Sequence, residues 1–252
     1  MPIEIRTTPG ELAHSTTVWR YLEISAALDT LVRNRLRFTQ VNSLDDQWEG
    51  RRGPASRKTL DDLENALAQH SGISFPNYSM RYGLEETNLR YNNYISSWTT
   101  NSPDSMIMWL AYTKTSSSVA LGSTIEKLHK GLVEDPLVGT IGLVDYVNQN
   151  TDPPKGYGLD PQEELFRKRK AFSFEGEVRF LINKEFDPDH NGPNLADRPT
   201  YHFENILRGT ISTLIVHPNA PEEFELLLET INSEMNLGIL VERSAIATKP
   251  IG

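Results

Sequence analysis

From Phe172 onward the stretch KRKAFSFEGEVRFLI, residues 168–182, alternates. Phe172, Phe174, Val178, Phe180 and Ile182 fall on one face of an extended chain, and Ser173, Glu175, Glu177 and Arg179 on the other. The spacing predicts a strand over 172–182 with one greasy face. Its polar face aligns two acids and an arginine, with successive same-face side chains roughly 7 Å apart. A solvated face of an antiparallel sheet is the plain reading of Glu-x-Glu-x-Arg. A polar cleft in which one glutamate is held for chemistry is the sharper reading.

The rest of the chain mixes both periodicities. Residues 16–22 and 35–41 pattern as strands around a short helix that carries Ile24, Leu28, Leu31 and Val32 and ends near Asn34. In the first of these, Val18, Arg20 and Leu22 share one face and Trp19 and Tyr21 the other. The run NSLDDQWEGRRGP is a loop, and Thr59 is placed to cap a helix that closes at Gly72. Residues 94–99 form a strand, Ser102-Pro103-Asp104 starts a helix carrying Met106, Trp109 and Tyr112, and 119–121 is a short strand. Ser123 and Glu126 make a capping box for the next helix, 138–147 is strand-like, and 148–160 is a loop. Residues 211–217 are a buried strand. Phe224, Leu227, Leu228, Ile231 and Met235 make the widest apolar helical stripe, which is expected to cover the 172–182 strand, and 237–246 is a last strand. No repeat or βαβ rhythm appears. The expected fold is α+β, one domain over 1–252 with its core at about 17–246, built on a central mixed or antiparallel sheet flanked by helices.

Composition narrows the function classes. The 252 residues suffice for a large core, and 38% hydrophobic with 23% charged is ordinary for a soluble globular protein. No apolar run approaches a membrane span or signal peptide, so no membrane partner and a cytoplasmic location are expected. The absence of cysteine removes thiolate nucleophiles, zinc-thiolate sites and disulfides. A net charge of −9 opposes broad nucleic-acid binding, which works by neutralising phosphates. Basic clusters at Arg33, Arg35 and Arg37, at Arg51, Arg52, Arg57 and Lys58, and at residues 167–170 still leave room for a local phosphate site. There is no G-x-G-x-x-G, P-loop, H-E-x-x-H or G-x-S-x-G. Asp187-Pro-Asp189-His-Asn191-Gly192 matches half a calcium loop but has Arg198 where the bidentate Glu belongs, so a turn is expected. Asp45, Asp46 and Glu49 flank Trp48 in the loop after the second strand, where function often lies.

A series of segments in order resembles a bacterial and phage family known as domain of unknown function 2971. They are residues 18–22 (VWRYL), Leu36-Arg37-Phe38, residues 45–50 (DDQWEG), Ser97-Trp98-Thr99, Met108-Trp109 with Tyr112, Val119-Ala120-Leu121, and Lys168…Phe172…Glu175-Gly176-Glu177-Val178-Arg179. Ser118 stands where that family usually has Gly, and Phe172 where it often has Trp. The resemblance implies fold kinship and names no activity.

A second resemblance does. Arg20 on an early strand, Ser97 and Thr99 on a middle one, and Glu175 and Glu177 on a late one are similar in order to the Arg, Ser-x-Ser/Thr and Glu-x-Glu motifs of ADP-ribosyltransferases. It implies NAD as substrate, with Arg20 forking onto a phosphate, a hydroxyl orienting the Arg or Glu, and a Glu steadying the oxocarbenium-like charge as nicotinamide leaves. Tyr21 or Trp98 would stack on the nicotinamide ring. The catalytic candidates are Glu177 and Glu175, and the ligand-binding candidates Arg20, Tyr21, Ser97, Thr99, Asp46, Glu49, Lys168 and Arg179. Arg20, Thr99 and Glu177 are expected to share one cleft. The expected partners are a nucleotide-type small molecule and a protein or nucleic-acid target, as for a toxin or anti-phage effector. Two alternatives stay open. Asp46, Glu49, Glu175 and Glu177 could converge on Mg²⁺ in a phosphodiesterase or nuclease, with Lys168 on the phosphate. The same residues could instead line a non-enzymatic nucleotide- or protein-binding module in phage–host conflict.

Overall fold

Strand alternation decides how this molecule is layered. The computed structural model describes residues 4–5, 12–72, 78–132, 138–155, 160–183, 199–204 and 209–246. Its first half runs β1 (Glu4–Ile5), β2 (Thr17–Glu23), α1 (Ile24–Arg33), β3 (Arg35–Gln40), α2 (Pro54–Ser71), α3 (Tyr78–Asn92), β4 (Asn93–Thr99), α4 (Met106–Tyr112), β5 (Ser118–Thr124) and α5 (Ile125–Leu132). The second half runs β6 (Val138–Leu143), β7 (Asp145–Val147), β8 (Arg167–Arg169), β9 (Glu177–Asn183), β10 (Thr200–Glu204), β11 (Thr213–Val216), α6 (Glu222–Glu234) and β12 (Leu240–Arg243). The chain is a single α+β domain with a mixed central sheet flanked by helices. No helix among the described residues is long and apolar enough to cross a membrane.

The main sheet has the order β1-β6-β9-β4-β2-β5-β11-β12, with β3 paired to both β4 and β10. The β1–β6 and β11–β12 pairs are parallel and the other pairs in this sheet antiparallel, while β7 and β8 form a separate parallel pair. One junction is unusual. β2 meets β4 only at Trp19↔Thr99, whereas β3 takes the other end of the same β4 edge at Thr39↔Ile95 and Gln40↔Tyr94. Two strands thus share one edge, and the sheet forks between them.

One face of the sheet buries Val18 from β2, Tyr94 and Trp98 from β4, and Val178, Phe180 and Ile182 from β9 in the largest core, with Ala27 and Leu31 of α1, the apolar side of α5, and Phe224 and Leu228 of α6. The other face carries two separate clusters. Tyr21 and Ala120 pack with Met108 and Trp109 of α4, and Ile95 and Leu181 pack with Val41, Leu89, Leu165 and Phe166. Such a division leaves a polar strip between two apolar footings.

Several sequence expectations need correction. The strand predicted over 172–182 begins only at Glu177, because residues Lys170–Glu175 form a 3-10 helix. Gly176, at φ +51, ends that turn in a left-handed conformation, and a Cβ there would come within 2.8 Å of Asn101 Oδ1. Helix α6 packs against β12 at the far edge, with four strands between it and β9, so it does not cover β9. Helix α2 starts at Pro54, five residues before Thr59, whose hydroxyl donates back to the Ala55 carbonyl at 3.0 Å and caps nothing. Ser102 likewise accepts the Asp104 N–H in a turn, and α4 begins four residues later at Met106. The calcium-like segment 187–198 lies outside the described residues.

Candidate active site

The polar strip is built from β4 and β9. In register, Ser97 faces Arg179 and Thr99 faces Glu177. Glu177 is buried, and both its oxygens are bonded. Arg179 Nε donates to Oε1 at 2.8 Å, Arg179 Nη2 to Oε2 at 3.1 Å, and Lys168 Nζ to Oε2 at 3.2 Å. The Ser97 hydroxyl adds a further bond to this carboxylate. Burial alone would raise its pKa. Arg179 and Lys168 outweigh burial and hold it down at about 2.

Arg179 has no side left for a ligand. Only 1% exposed, its Nη1 donates to the Leu165 carbonyl at 2.6 Å and lies 2.8 Å from Glu49 Oε2, and its Nη2 donates to Glu49 Oε1 at 2.9 Å. Glu49 and Glu177 thus grip one guanidinium from two sides. Their charge keeps it protonated despite burial. The role of Arg179 and Glu49 is to position Glu177.

Glu175 reaches the same place from the 3-10 helix, and residues 99–101 clamp it there. Asn101 Nδ2 donates to the Phe174 carbonyl at 2.6 Å, the Thr99 hydroxyl to the Glu175 carbonyl, and the Thr100 N–H to the Gly176 carbonyl at 2.9 Å. The next N–H, that of Glu177, donates to the Tyr146 hydroxyl at 2.9 Å. The Glu175 side chain accepts from Tyr112 at 2.6 Å on Oε1 and from Lys168 at 2.6 Å on Oε2. Its pKa is raised: burial dominates, the Lys168 and Tyr112 bonds oppose it, and the Glu177 charge adds to it. Two carboxyls that share one lysine are therefore pushed in opposite directions.

Lys168 Nζ touches three carboxylates, with Glu49 Oε1 at 3.5 Å as the third, and stands 4.9 Å from the centre of the Phe172 ring. The metal reading needed a divalent ion at this point of convergence. A lysine ammonium fills it, and no group of three His, Cys, Asp or Glu among the described residues is arranged to hold a metal.

Above this network a cleft of about 240 Å³ opens where the sheet forks, lined by Trp19, Tyr21, Thr39, Leu44, Ile95, Ser97, Thr99, Met108, Tyr112, Glu175 and Glu177. Tyr21 presents its ring: the hydroxyl donates to the Pro103 carbonyl at 3.0 Å, and the ring meets Trp109 edge-on at 4.7 Å. The Gly122 position makes room for Trp19, since a Cβ there would lie 2.5 Å from the indole.

Glu175, Glu177, Tyr21, Ser97 and Thr99 line the cleft. Lys168, Arg179 and Glu49 stand behind them, and Asp46 is apart, accepting from Arg169 at 3.1 Å and from the Trp48 N–H at 3.0 Å. Arg20 is the correction. Its backbone borders the cleft, but its side chain leaves on the opposite face, where Nη1 donates to Ser96 Oγ at 2.8 Å and to the Arg37 carbonyl at 3.1 Å. It pins the fork, tying β2 to β3 and β4. Burial, then Arg37, lowers its pKa to about 10. Trp98 also belongs to the far face, with Nε1 on Ser96 Oγ at 3.1 Å, so it cannot stack on a ligand in the cleft. Sequence reasoning missed Tyr112, Tyr146 and Trp19. Tyr112 follows Trp109 at helical spacing and so reads as a core position, and the partner of its hydroxyl is 63 residues away.

No family model matches this chain, and no curated protein matches it. Among solved structures it is similar to Thermus sp. 2.9 DarT in complex with NAD+, at 11% identity over 92% of this chain and 97% of that one, TM-score 0.38. It is likewise similar to Thermus sp. 2.9 DarT in complex with ADP-ribosylated ssDNA, at 12% identity over 92% of this chain and 95% of that one, TM-score 0.39. At this distance the chemistry of those proteins is not carried over to the cleft, which stands on its own geometry.

Proposed function

We propose that the cleft breaks an N-glycosidic bond of NAD and transfers the ADP-ribosyl group to a nucleophile. One observation carries the reading: two buried carboxyls, Glu175 and Glu177, share Lys168 at the floor of an aromatic-walled cleft and are shifted in opposite directions. Paired carboxyls of this kind suit a reaction through an oxocarbenium-like ribosyl centre. Glu177, ionised at any physiological pH and fixed by Arg179, supplies a stationary negative charge beside the developing cation. Glu175, whose carboxyl takes a proton more readily, is the base for the incoming nucleophile. The bond from ribose C1′ to the nicotinamide nitrogen breaks with both electrons leaving on nicotinamide. The nucleophile closes on C1′, and its proton passes to Glu175. Trp19, Tyr21 and Tyr112 offer ring faces and edges for the nicotinamide.

Arg20 is the only arginine or lysine among the described lining residues, and it faces away, so recognition in the cleft rests on the ring and ribose rather than on the pyrophosphate.

Nicotinamide release from NAD by the purified protein, with cell toxicity on expression as a second readout, tests the reading. Glu175→Gln and Glu177→Gln should each lower turnover on the order of a hundredfold. Removing the Glu177 charge takes one carboxylate partner from each of Lys168 and Arg179 and also costs stability, so each rate is compared at a temperature where melting curves show the variant folded. Unchanged turnover in folded Glu175→Gln and Glu177→Gln proteins overturns it, and calorimetric NAD binding without turnover makes the site a binding module.

A further inference from the structure

We infer a second binding site, for a nucleoside phosphate, in a cavity of about 410 Å³ lined by Gln47, Trp48, Arg51, Arg52, Pro54 and Arg57. The inference does not depend on the reading of the cleft.

The first ground is the pairing of an aromatic platform with guanidinium groups. Trp48 is 42% exposed, an uncommon place for an indole, since a large apolar ring is usually covered. Its backbone is fixed, with its N–H on Asp46 Oδ1 at 3.0 Å and its carbonyl accepting from Arg51 N–H at 3.1 Å. An uncovered ring on a fixed backbone beside arginines suits a ligand with a flat base next to an anion.

The second ground is how the arginines are divided. Arg52 is tied to Glu85 at 2.8 Å and Arg57 to Glu86 at 3.1 Å, so both are held in place and largely neutralised. Arg51 is exposed, and its guanidinium has no ion-pair partner among the described residues. Arg90 adds charge nearby. It is buried, its Nε and Nη2 have no hydrogen-bond partner among the described residues, and Arg51 adds to burial in lowering its pKa. The surplus is positive, in a chain whose net charge is −9. The N-terminus of the long helix α2 contributes its dipole alone at Pro54, since its first free N–H, that of Ala55, already donates to the Gln149 carbonyl at 3.0 Å. One phosphate beside one base satisfies these groups, whereas an extended polyanion track would meet the acidic remainder of the surface.

A free nucleotide and a nucleotide within a single strand present the same chemistry, and the test separates them. ADP binding is measured by calorimetry, and a short fluorescein-labelled single-stranded oligonucleotide by anisotropy, for wild type, Trp48→Ala, Trp48→Phe and Arg51→Ala. Both positions are exposed, so melting curves should be unchanged. Trp48→Ala should weaken binding at least about fivefold, the lower end of what one base stacked on an aromatic ring contributes, and Trp48→Phe should restore most of it. Arg51→Ala should weaken binding and flatten its salt dependence. Glu175→Gln should leave binding unchanged. Response of the ADP arm alone assigns a free nucleotide, and response of the oligonucleotide arm assigns a strand. Failure of both probes to bind, or binding indifferent to Trp48→Ala and Arg51→Ala, overturns the site.

Discussion

The Tyr112 hydroxyl donates to Glu175 Oε1 at 2.6 Å, joining the end of α4 to the turn before β9. Because the donor stabilises the ionised carboxyl, Tyr112→Phe should push the Glu175 pKa further up. If ionised Glu175 accepts the nucleophile's proton, the acid limb of the rate profile moves to higher pH, with turnover on that limb down about tenfold. A pH profile of nicotinamide release checks this. A uniform drop at all pH values would mean that the hydroxyl does something other than tune Glu175.

Acid stability should report on Glu177. Its folded pKa of about 2 lies below the ordinary 4.5, so its contribution is complete above pH 4.5 and is lost as pH falls toward 2. Glu175, raised in the folded state, acts with the opposite sign, and its contribution diminishes as pH rises past 4.5. Denaturant titrations from pH 6 down to 3 should show falling stability in wild type and a flatter curve in Glu177→Gln, which starts lower because Lys168 and Arg179 each lose one carboxylate partner. A break in a buried ion pair costs about 3–5 kcal/mol.

Arg20→Met tests the pin. Loss of its bonds to Ser96 and the Arg37 carbonyl should cost about 1–3 kcal/mol of stability, read from denaturant melts. NAD affinity of the folded protein should change little. A tenfold rise in KM at unchanged stability would instead make Arg20 a phosphate ligand.

Gly122→Ala should drive the Trp19 indole off β5 and into the cleft, since the added Cβ would overlap the ring. Overpacking of this kind costs about 1–3 kcal/mol. Calorimetry should show weaker NAD binding than wild type, and Trp19→Ala combined with Gly122→Ala should recover the stability.

Much of the layering was legible in strand parity. Val178, Phe180 and Ile182 do face the main core, and the acidic face of the same strand does carry Glu177. The face of Arg20 was legible too, since it alternates with Val18 and Leu22, but motif order pulled it toward the glutamates. What parity could not supply was the turn at Gly176. A run of alternating residues looks extended whether or not Thr99, Thr100 and Asn101 bend it by capturing its carbonyls. The reach of α6 was hidden for a similar reason: an apolar stripe says how much a helix buries, and only sheet order says against what. The lysine at the centre of three acids was invisible as well, because Glu49 approaches from more than a hundred positions away.

The forked sheet has one more consequence. Because the cleft opens where β2 and β3 part along one edge of β4, its aperture is an angle between two halves of a sheet rather than the length of a loop. Helix α1 joins those two strands and packs on both from behind, with Ala27 wholly buried beneath it. A bulkier residue at that position would act as a thumb on a clothes-peg, altering the grip at the front without touching it. Selection on this protein can therefore widen or narrow its mouth through the hidden side of the sheet, leaving every residue that meets the ligand as it was.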